Sequence, residues 1–187
     1  LLGGYGSTVY EKGTLNLGTS QTTGEDDQIQ YVSPSFSGVT LHAGVQINGV
    51  DEGVKSYPYQ LGASYGMDGL TVSVMMDSND GAASSENSYG LAAEYAMGDL
   101  VLDAFFDVRG GDTVQNGSEL MGYMATYNMG ANTFRISYET ADEDIGNESS
   151  DVVMFQALHN VGDNMYVYVE GAQKNIDSTN EEISQIN

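Results

Sequence analysis

The chain of 187 residues contains no cysteine, no tryptophan and only two prolines. Without cysteine it has no disulfide framework, no thiolate metal site and no cysteine nucleophile. Basic residues are also scarce, since five Lys and Arg stand against 27 Asp and Glu and give a net charge of −22. Binding to nucleic acid or to an anionic surface needs Lys and Arg to neutralise phosphate. The composition therefore excludes nucleic acid as a partner.

Long apolar runs are absent as well. The longest uninterrupted run of apolar or aromatic residues is Met165 to Val169, five residues, whereas a membrane-spanning helix needs about 20. The start of the sequence has neither the Met nor the basic segment of a secretory signal. We therefore expect no transmembrane helix, and a single domain over residues 1–187 that is incomplete at both ends.

The sequence is instead rich in glycine, with 24 residues, and in tyrosine, with 13. Gly66, Gly98, Gly130 and Gly162 are each 32 residues apart, within short clusters of Gly, Asp and Asn. These residues tolerate the positive φ of hairpin turns, and a fixed period indicates a repeated supersecondary unit. We predict a repeated β-hairpin whose long polar loops lie at the end opposite the turns, at 48–56, 77–87, 109–119, 139–151 and 174–187.

Alternating side chains flank each turn, so each predicted strand has one apolar and one polar face. The apolar set, as in Leu91, Ala93 and Tyr95, carries no charge and has tyrosine at or near its ends. The opposite set is mostly Thr, Ser, Gln, Asn and Gly with some acids, interrupted by four large apolar residues: Met75, Phe105, Met124 and Met154. A soluble antiparallel sandwich and a membrane barrel both show such alternation. The tyrosine positions, the scarcity of lysine and the one-sided loops favour an all-β fold, a transmembrane antiparallel β-barrel.

Two segments resemble a known family. Residues 28–40, Gln-Ile-Gln-Tyr-Val-Ser-Pro-Ser-Phe-Ser-Gly-Val-Thr, resemble the SIRY-x-SP-x-F-SGF strand and turn of Gram-negative general porins. Residues 13–18, Gly-Thr-Leu-Asn-Leu-Gly, resemble their GTLTLGR strand, although Thr19 replaces the arginine. The resemblance extends over essentially the whole chain. It implies part of a 16-stranded barrel with about twelve strands present, from residues 1–10 and 14–19 to residues 165–174, and with the first three strands and the last one missing. A self-closed twelve-stranded barrel is the alternative.

The resemblance also implies a function. It points to a porin in the outer membrane of a Gram-negative bacterium, a water-filled channel for passive diffusion of small hydrophilic solutes and ions, and not an enzyme. A homotrimer in contact with outer-membrane lipid and lipopolysaccharide, without a cofactor, follows from the same resemblance. One departure is that residues 20–26 alone stand where the family has a long third loop that narrows the pore. The alternative is an acidic outer-membrane β-barrel that serves adhesion or assembly without channel activity.

Charged residues on the polar face are the candidate pore lining, and acids outnumber bases among them. Channel charges favour ions of the opposite sign, so we expect cations to be preferred. The alternatives are solvated acids without selectivity and, for the single arginine, a structural salt bridge instead of a contact with an anion. The candidates are Asp77, Glu94, Asp103, Asp107, Arg135, Glu139 and Glu170.

Catalytic and metal sites have little support in the sequence. His42 and His159 lie in different predicted hairpins, which disfavours a metal pair or a Ser-His dyad. A hydrolase barrel would need one of them beside a serine such as Ser64 or Ser73. The acidic run within residues 142–151 lacks the spacing of a dedicated calcium loop. We predict a solvated loop there, with no catalytic and no metal site in the chain.

Overall fold

The computed structural model describes residues 28–47, 57, 59–78, 87–109, 118–143, 149–176 and 181–186. These residues form eleven antiparallel strands in one sheet, and the strand order follows the chain without a crossover. No helix among them is long and apolar enough to cross a membrane. The strands are β1 (Gln28–Val32), β2 (Val39–Gln46), β3 (Tyr59–Met67), β4 (Leu70–Asp77), β5 (Ser88–Met97), β6 (Leu100–Arg109), β7 (Ser118–Met129), β8 (Asn132–Glu143), β9 (Ser149–Gly162), β10 (Met165–Ile176) and β11 (Glu181–Ile186).

Two-residue turns close the hairpins at one end of the sheet, at 68–69, 98–99, 130–131 and 163–164. In the first of these, Asp68 and Gly69 have φ of 49° and 82°, and positive φ at both positions is what a type I′ turn requires. The predicted hairpins are therefore confirmed in these residues. The even 32-residue spacing is not the spacing of the turns, because Gly66 and Gly162 lie inside β3 and β9.

Three of these four turns are also hydrogen-bonded to the next hairpin. The carbonyl oxygen of Gly69 accepts a hydrogen bond from the amide of Ala96, and that of Asp99 accepts one from Asn128, both at 2.8 Å. The bond recurs at Ala131. A Cβ atom on Gly69 would lie only 2.6 Å from the carbonyl oxygen of Ala96. Glycine is thus required there by the close approach of the neighbouring hairpin as well as by its positive φ.

The apolar face of the sheet is exposed and the polar face is buried, the reverse of a water-soluble sheet. In soluble proteins charged residues are almost never buried without a partner. Large apolar side chains are exposed, among them Leu91 at 46% and Ile136 at 57%. Of the buried residues in the described part of the chain, three are apolar and eight are polar or charged. We call the face with the apolar set the outer face and the face with the polar set the inner face. Their alternation along the strands matches the prediction.

The end opposite the turns differs from the expectation. β8 continues to Glu143 and β9 begins at Ser149, so most of the predicted loop at 139–151 is strand. β11 pairs with β10, although only a polar stretch was predicted there. Its sequence, Glu-Glu-Ile-Ser-Gln-Ile, has no apolar face. Its pairing with β10 therefore makes it a strand. The strands predicted at 1–10 and 14–19, and the linker at 20–26, lie outside the described residues.

Candidate functional site

All seven candidate residues lie on the inner face. Asp77, Asp107, Glu139 and Glu170 are buried, while Glu94, Asp103 and Arg135 are partly buried. They lie on five strands, β4, β5, β6, β8 and β10. The regular register of the sheet places them in neighbouring rows across these strands. Successive side chains of a strand point to opposite faces, so the position of each residue in the sequence is enough to assign it to this face.

Glu94 and Asp103 are two acids that face each other on the inner face. They are direct cross-strand partners in the hairpin formed by β5 and β6. Within the part of the chain that the structure describes, no hydrogen-bond donor reaches either carboxylate. Like charges directly opposite each other are destabilising in a sheet. The pair therefore concentrates negative charge at one point of the inner face, and a nearby cation would relieve the repulsion.

Asp77 is held differently. The Gln60 side-chain amide donates a hydrogen bond from Nε2 to Asp77 Oδ2 at 3.1 Å, and both side chains are buried. The two residues are register partners on β3 and β4. Because a carboxylate that accepts a hydrogen bond keeps a defined orientation, this acid is a fixed part of the inner face.

Arg135 is connected to an acid through a glutamine. Its Nη1 donates to Gln156 Oε1, and Gln156 Nε2 donates to Glu170 Oε2 at 3.2 Å. The direct salt bridge considered for Arg135 is therefore replaced, among the described residues, by a chain of two hydrogen bonds across β8, β9 and β10. Glu170 is only 2% exposed, and its Oε1 is buried with no hydrogen-bond partner among the residues that the structure describes.

A β-bulge places Glu170 on the inner face. The register between β9 and β10 shifts between Met165 and Tyr166, so that Glu170 is paired with Gln156. A bulge inserts one extra residue into one strand, and a shift of one residue exchanges the two faces. Without the bulge, the register of the turn would place Gly171 opposite Gln156. The bulge therefore lets the alternate apolar residues of Met165–Val169 lie on the outer face.

An apolar patch adjoins the acids on the inner face. Val152 and Met154 are its buried members, and Ala172 packs against them. Met154 is one of the four large apolar exceptions in the polar set, whereas Phe105, another of them, is buried separately on β6. Val152 was not singled out from the sequence, although it lies two residues from Met154 and therefore shares its face.

The structure brings one histidine to a serine. His42 Nε2 lies 3.4 Å from Ser64 Oγ across β2 and β3. Among the described residues no carboxylate is bonded to His42, so the third member of a catalytic triad is missing from this contact. His159 is instead hydrogen-bonded to Asn132 at 2.8 Å. No cluster of three or more metal-ligating residues occurs in the described ranges, and residues 144–148 of the acidic run lie outside them.

The comparison with known families decides the identity. The model of the Gram-negative porin family matches residues 2–179. The chain belongs to this family. Membership explains the exposed apolar outer face, because a porin is a β-barrel in the outer membrane of a Gram-negative bacterium. No curated protein matches the sequence.

Solved porin structures share the fold of this porin. An anion-selective porin from Comamonas acidovorans superposes with a TM-score of 0.71 at 15% identity and covers 83% of this chain. A porin refined at 1.8 Å resolution gives 0.64 at 13% identity with 85% of this chain covered. The trimer form of OmpT, an outer membrane protein of Vibrio cholerae, gives 0.62 at 13% identity with 84% covered. This porin spans 52%, 58% and 59% of those chains, respectively.

Proposed function

We propose that the complete protein forms a water-filled channel for passive diffusion of small hydrophilic solutes and ions. The observation that carries this proposal is that apolar side chains are exposed on the outer face while polar and charged side chains are buried on the inner face. In a barrel whose apolar side contacts lipid, the polar side encloses the lumen. The family and the fold support a channel over an enzyme. In addition, no acid among the described residues contacts His42 to complete a triad with Ser64.

We assign the lining of this channel to the seven inner-face residues and propose that it prefers cations. Six of the seven are acids. Arg135, the seventh, is linked through Gln156 to Glu170, so its charge has an acidic counterpart on the same face. The similar porin from Comamonas acidovorans is anion-selective. At 15% identity that likeness concerns the fold alone, and the proposed preference rests on the charges of this chain.

Planar bilayer recordings test both parts of the proposal. The purified full-length protein is expected to give stepwise openings, and a KCl gradient is expected to give a reversal potential of the sign for K⁺ over Cl⁻. The potential should be largest in dilute salt, because the Debye length falls from about 10 Å at 0.1 M to about 3 Å at 1 M. Absence of openings would favour an adhesion or assembly role. Openings with a zero or anion-selective potential would retain the channel and reject the cation preference.

The proposed assembly is a homotrimer in contact with outer-membrane lipid and lipopolysaccharide. The trimer form of OmpT from Vibrio cholerae, which shares the fold, supports this stoichiometry. Intact mass of the full-length protein in mild detergent measures it directly. A mass of three chains is expected, and a monomer under those conditions would contradict the proposal.

A further inference from the structure

Methionine recurs beside the turns of the sheet. Each of the four two-residue turns is directly preceded or followed by one methionine. The side chains of all four lie on the outer face and are between 42% and 58% exposed. The chain has nine methionines, so almost half of them are at this one end of the strands. These four residues, which we call the methionine rim, are Met67, Met97, Met129 and Met165.

In three hairpins the rim methionine lies on the water side of a tyrosine. Tyr65, Tyr95 and Tyr127 each stand two residues before a rim methionine on the same strand, so both side chains share the outer face. Aromatic residues of an outer-membrane barrel flank the apolar band at the membrane interface, and the short turns are on the periplasmic side. The rim methionines lie beyond these tyrosines, next to the turns. They are therefore at the periplasmic water interface and not in the hydrocarbon.

The sulfur atoms of the rim differ in one contact. The Tyr65 hydroxyl donates a hydrogen bond to Met67 Sδ at 3.2 Å. Within the part of the chain that the structure describes, no hydrogen bond reaches the sulfur of Met97 or Met129. A thioether is a weak acceptor, and a hydrogen bond to it engages a lone pair that an oxidant would attack. Met97 and Met129 thus combine exposure with a sulfur atom that is open to attack.

Met154 is the opposite case on the inner face. It is fully buried and packs with Val152 and Ala172. Oxidation converts a methionine into a polar sulfoxide, which disrupts a packed apolar cluster. At the rim the sulfoxide oxygen would face water instead. The fold therefore tolerates oxidation at the rim and protects the methionine at which oxidation would be harmful.

We propose that the methionine rim is the site at which hydrogen peroxide oxidises this porin to methionine sulfoxide. The sulfur lone pair attacks one peroxide oxygen, the S–O bond forms as the O–O bond breaks, and the second oxygen leaves with both protons as water. Sulfur is oxidised by two electrons, and the peroxide is reduced by two. Charge separates in this step, which an apolar environment disfavours, so the thioether has to contact water. The inference rests on the membrane position of this porin and is independent of its ion preference.

Peptide mass mapping of the full-length protein in phospholipid vesicles, sampled during treatment with hydrogen peroxide, tests the proposal. Met97 and Met129 should gain one oxygen atom at least about tenfold faster than Met154. Met67 should react about twofold to tenfold more slowly than Met97, because its lone pair is engaged. The Tyr65→Phe variant should remove this difference. Tyr95→Phe is the matched control and should leave the rate of Met97 unchanged, since Tyr95 holds the same position before Met97 without bonding to its sulfur.

Three results would overturn the proposal. These are equal oxidation rates of the rim and of Met154, oxidation of the rim only after transfer to detergent, and loss of bilayer conductance in a sample oxidised at the rim alone. The second would show that lipid covers the rim. Equal rates of Met67 and Met97 in the unaltered protein would reject the role of the Tyr65 hydroxyl, even if Tyr65→Phe does not fold. Conductance of the untreated protein is recorded in parallel, so failure of the channel and failure of the rim are told apart.

Discussion

The proposed cation preference depends most on Glu94 and Asp103, because this facing pair has no donor among the described residues. A carboxylate about 7 Å from a permeating ion attracts K⁺ by about 0.6 kcal/mol in water, and screening in 0.1 M salt halves this. Two carboxylates then favour K⁺ by about 0.6 kcal/mol and disfavour Cl⁻ by the same amount. The Glu94→Gln/Asp103→Asn variant is therefore expected to lower the K⁺/Cl⁻ permeability ratio about sevenfold in 0.1 M KCl. In 1 M KCl the change should be less than about twofold.

Reversal potentials in planar bilayers measure this ratio. Glu119→Gln/Asp142→Asn is the matched control, since these two acids are also direct cross-strand partners but are exposed on the outer face at the long-loop end. Removing them should change the ratio less than about twofold. The reasoning is refuted if the inner-face variant keeps the potential of the unaltered protein in dilute salt, or if both variants shift it equally.

Three further predictions concern the free energy of unfolding, measured by urea titration of the full-length barrel in lipid vesicles. Gly69→Ala should lower the stability more than Gly130→Ala. Both glycines have positive φ, whose strain alone costs about 1–2 kcal/mol, but of the two only Gly69 would place the Cβ atom 2.6 Å from a carbonyl oxygen. Equal losses of stability would contradict the clash. Gln156→Leu should cost about 3 kcal/mol or more, since it removes two hydrogen bonds to charged groups; a neutral result would show that the chain is not formed. Ile136→Arg should cost about 2–4 kcal/mol in lipid, whereas Ile136→Leu should cost less than about 1.5 kcal/mol; similar values for the two would place Ile136 outside the hydrocarbon.

Much of the fold was predictable because a period of two assigns every strand residue to a face. Leu91, Ala93 and Tyr95 show the apolar face without any structural knowledge. β11 was missed because its ladder partner, and not its own pattern, makes it a strand. The seven candidate residues follow from parity, but their contacts do not. The link from Arg135 to Glu170 depends on the register of three strands and on the bulge at Met165, which alternation alone cannot specify.

The chain order of the strands has a consequence for how this sheet is assembled. Every described strand pair joins elements that are consecutive in sequence, and contacts between sequence neighbours carry a low loop-closure cost. Each hairpin can therefore pair with the free edge of the one before it. Removing or duplicating one whole hairpin would leave the pairing partners of every remaining hairpin unchanged except at the new junction. The number of strands in such a sheet can consequently change in steps of two, without any other pairing having to be rebuilt.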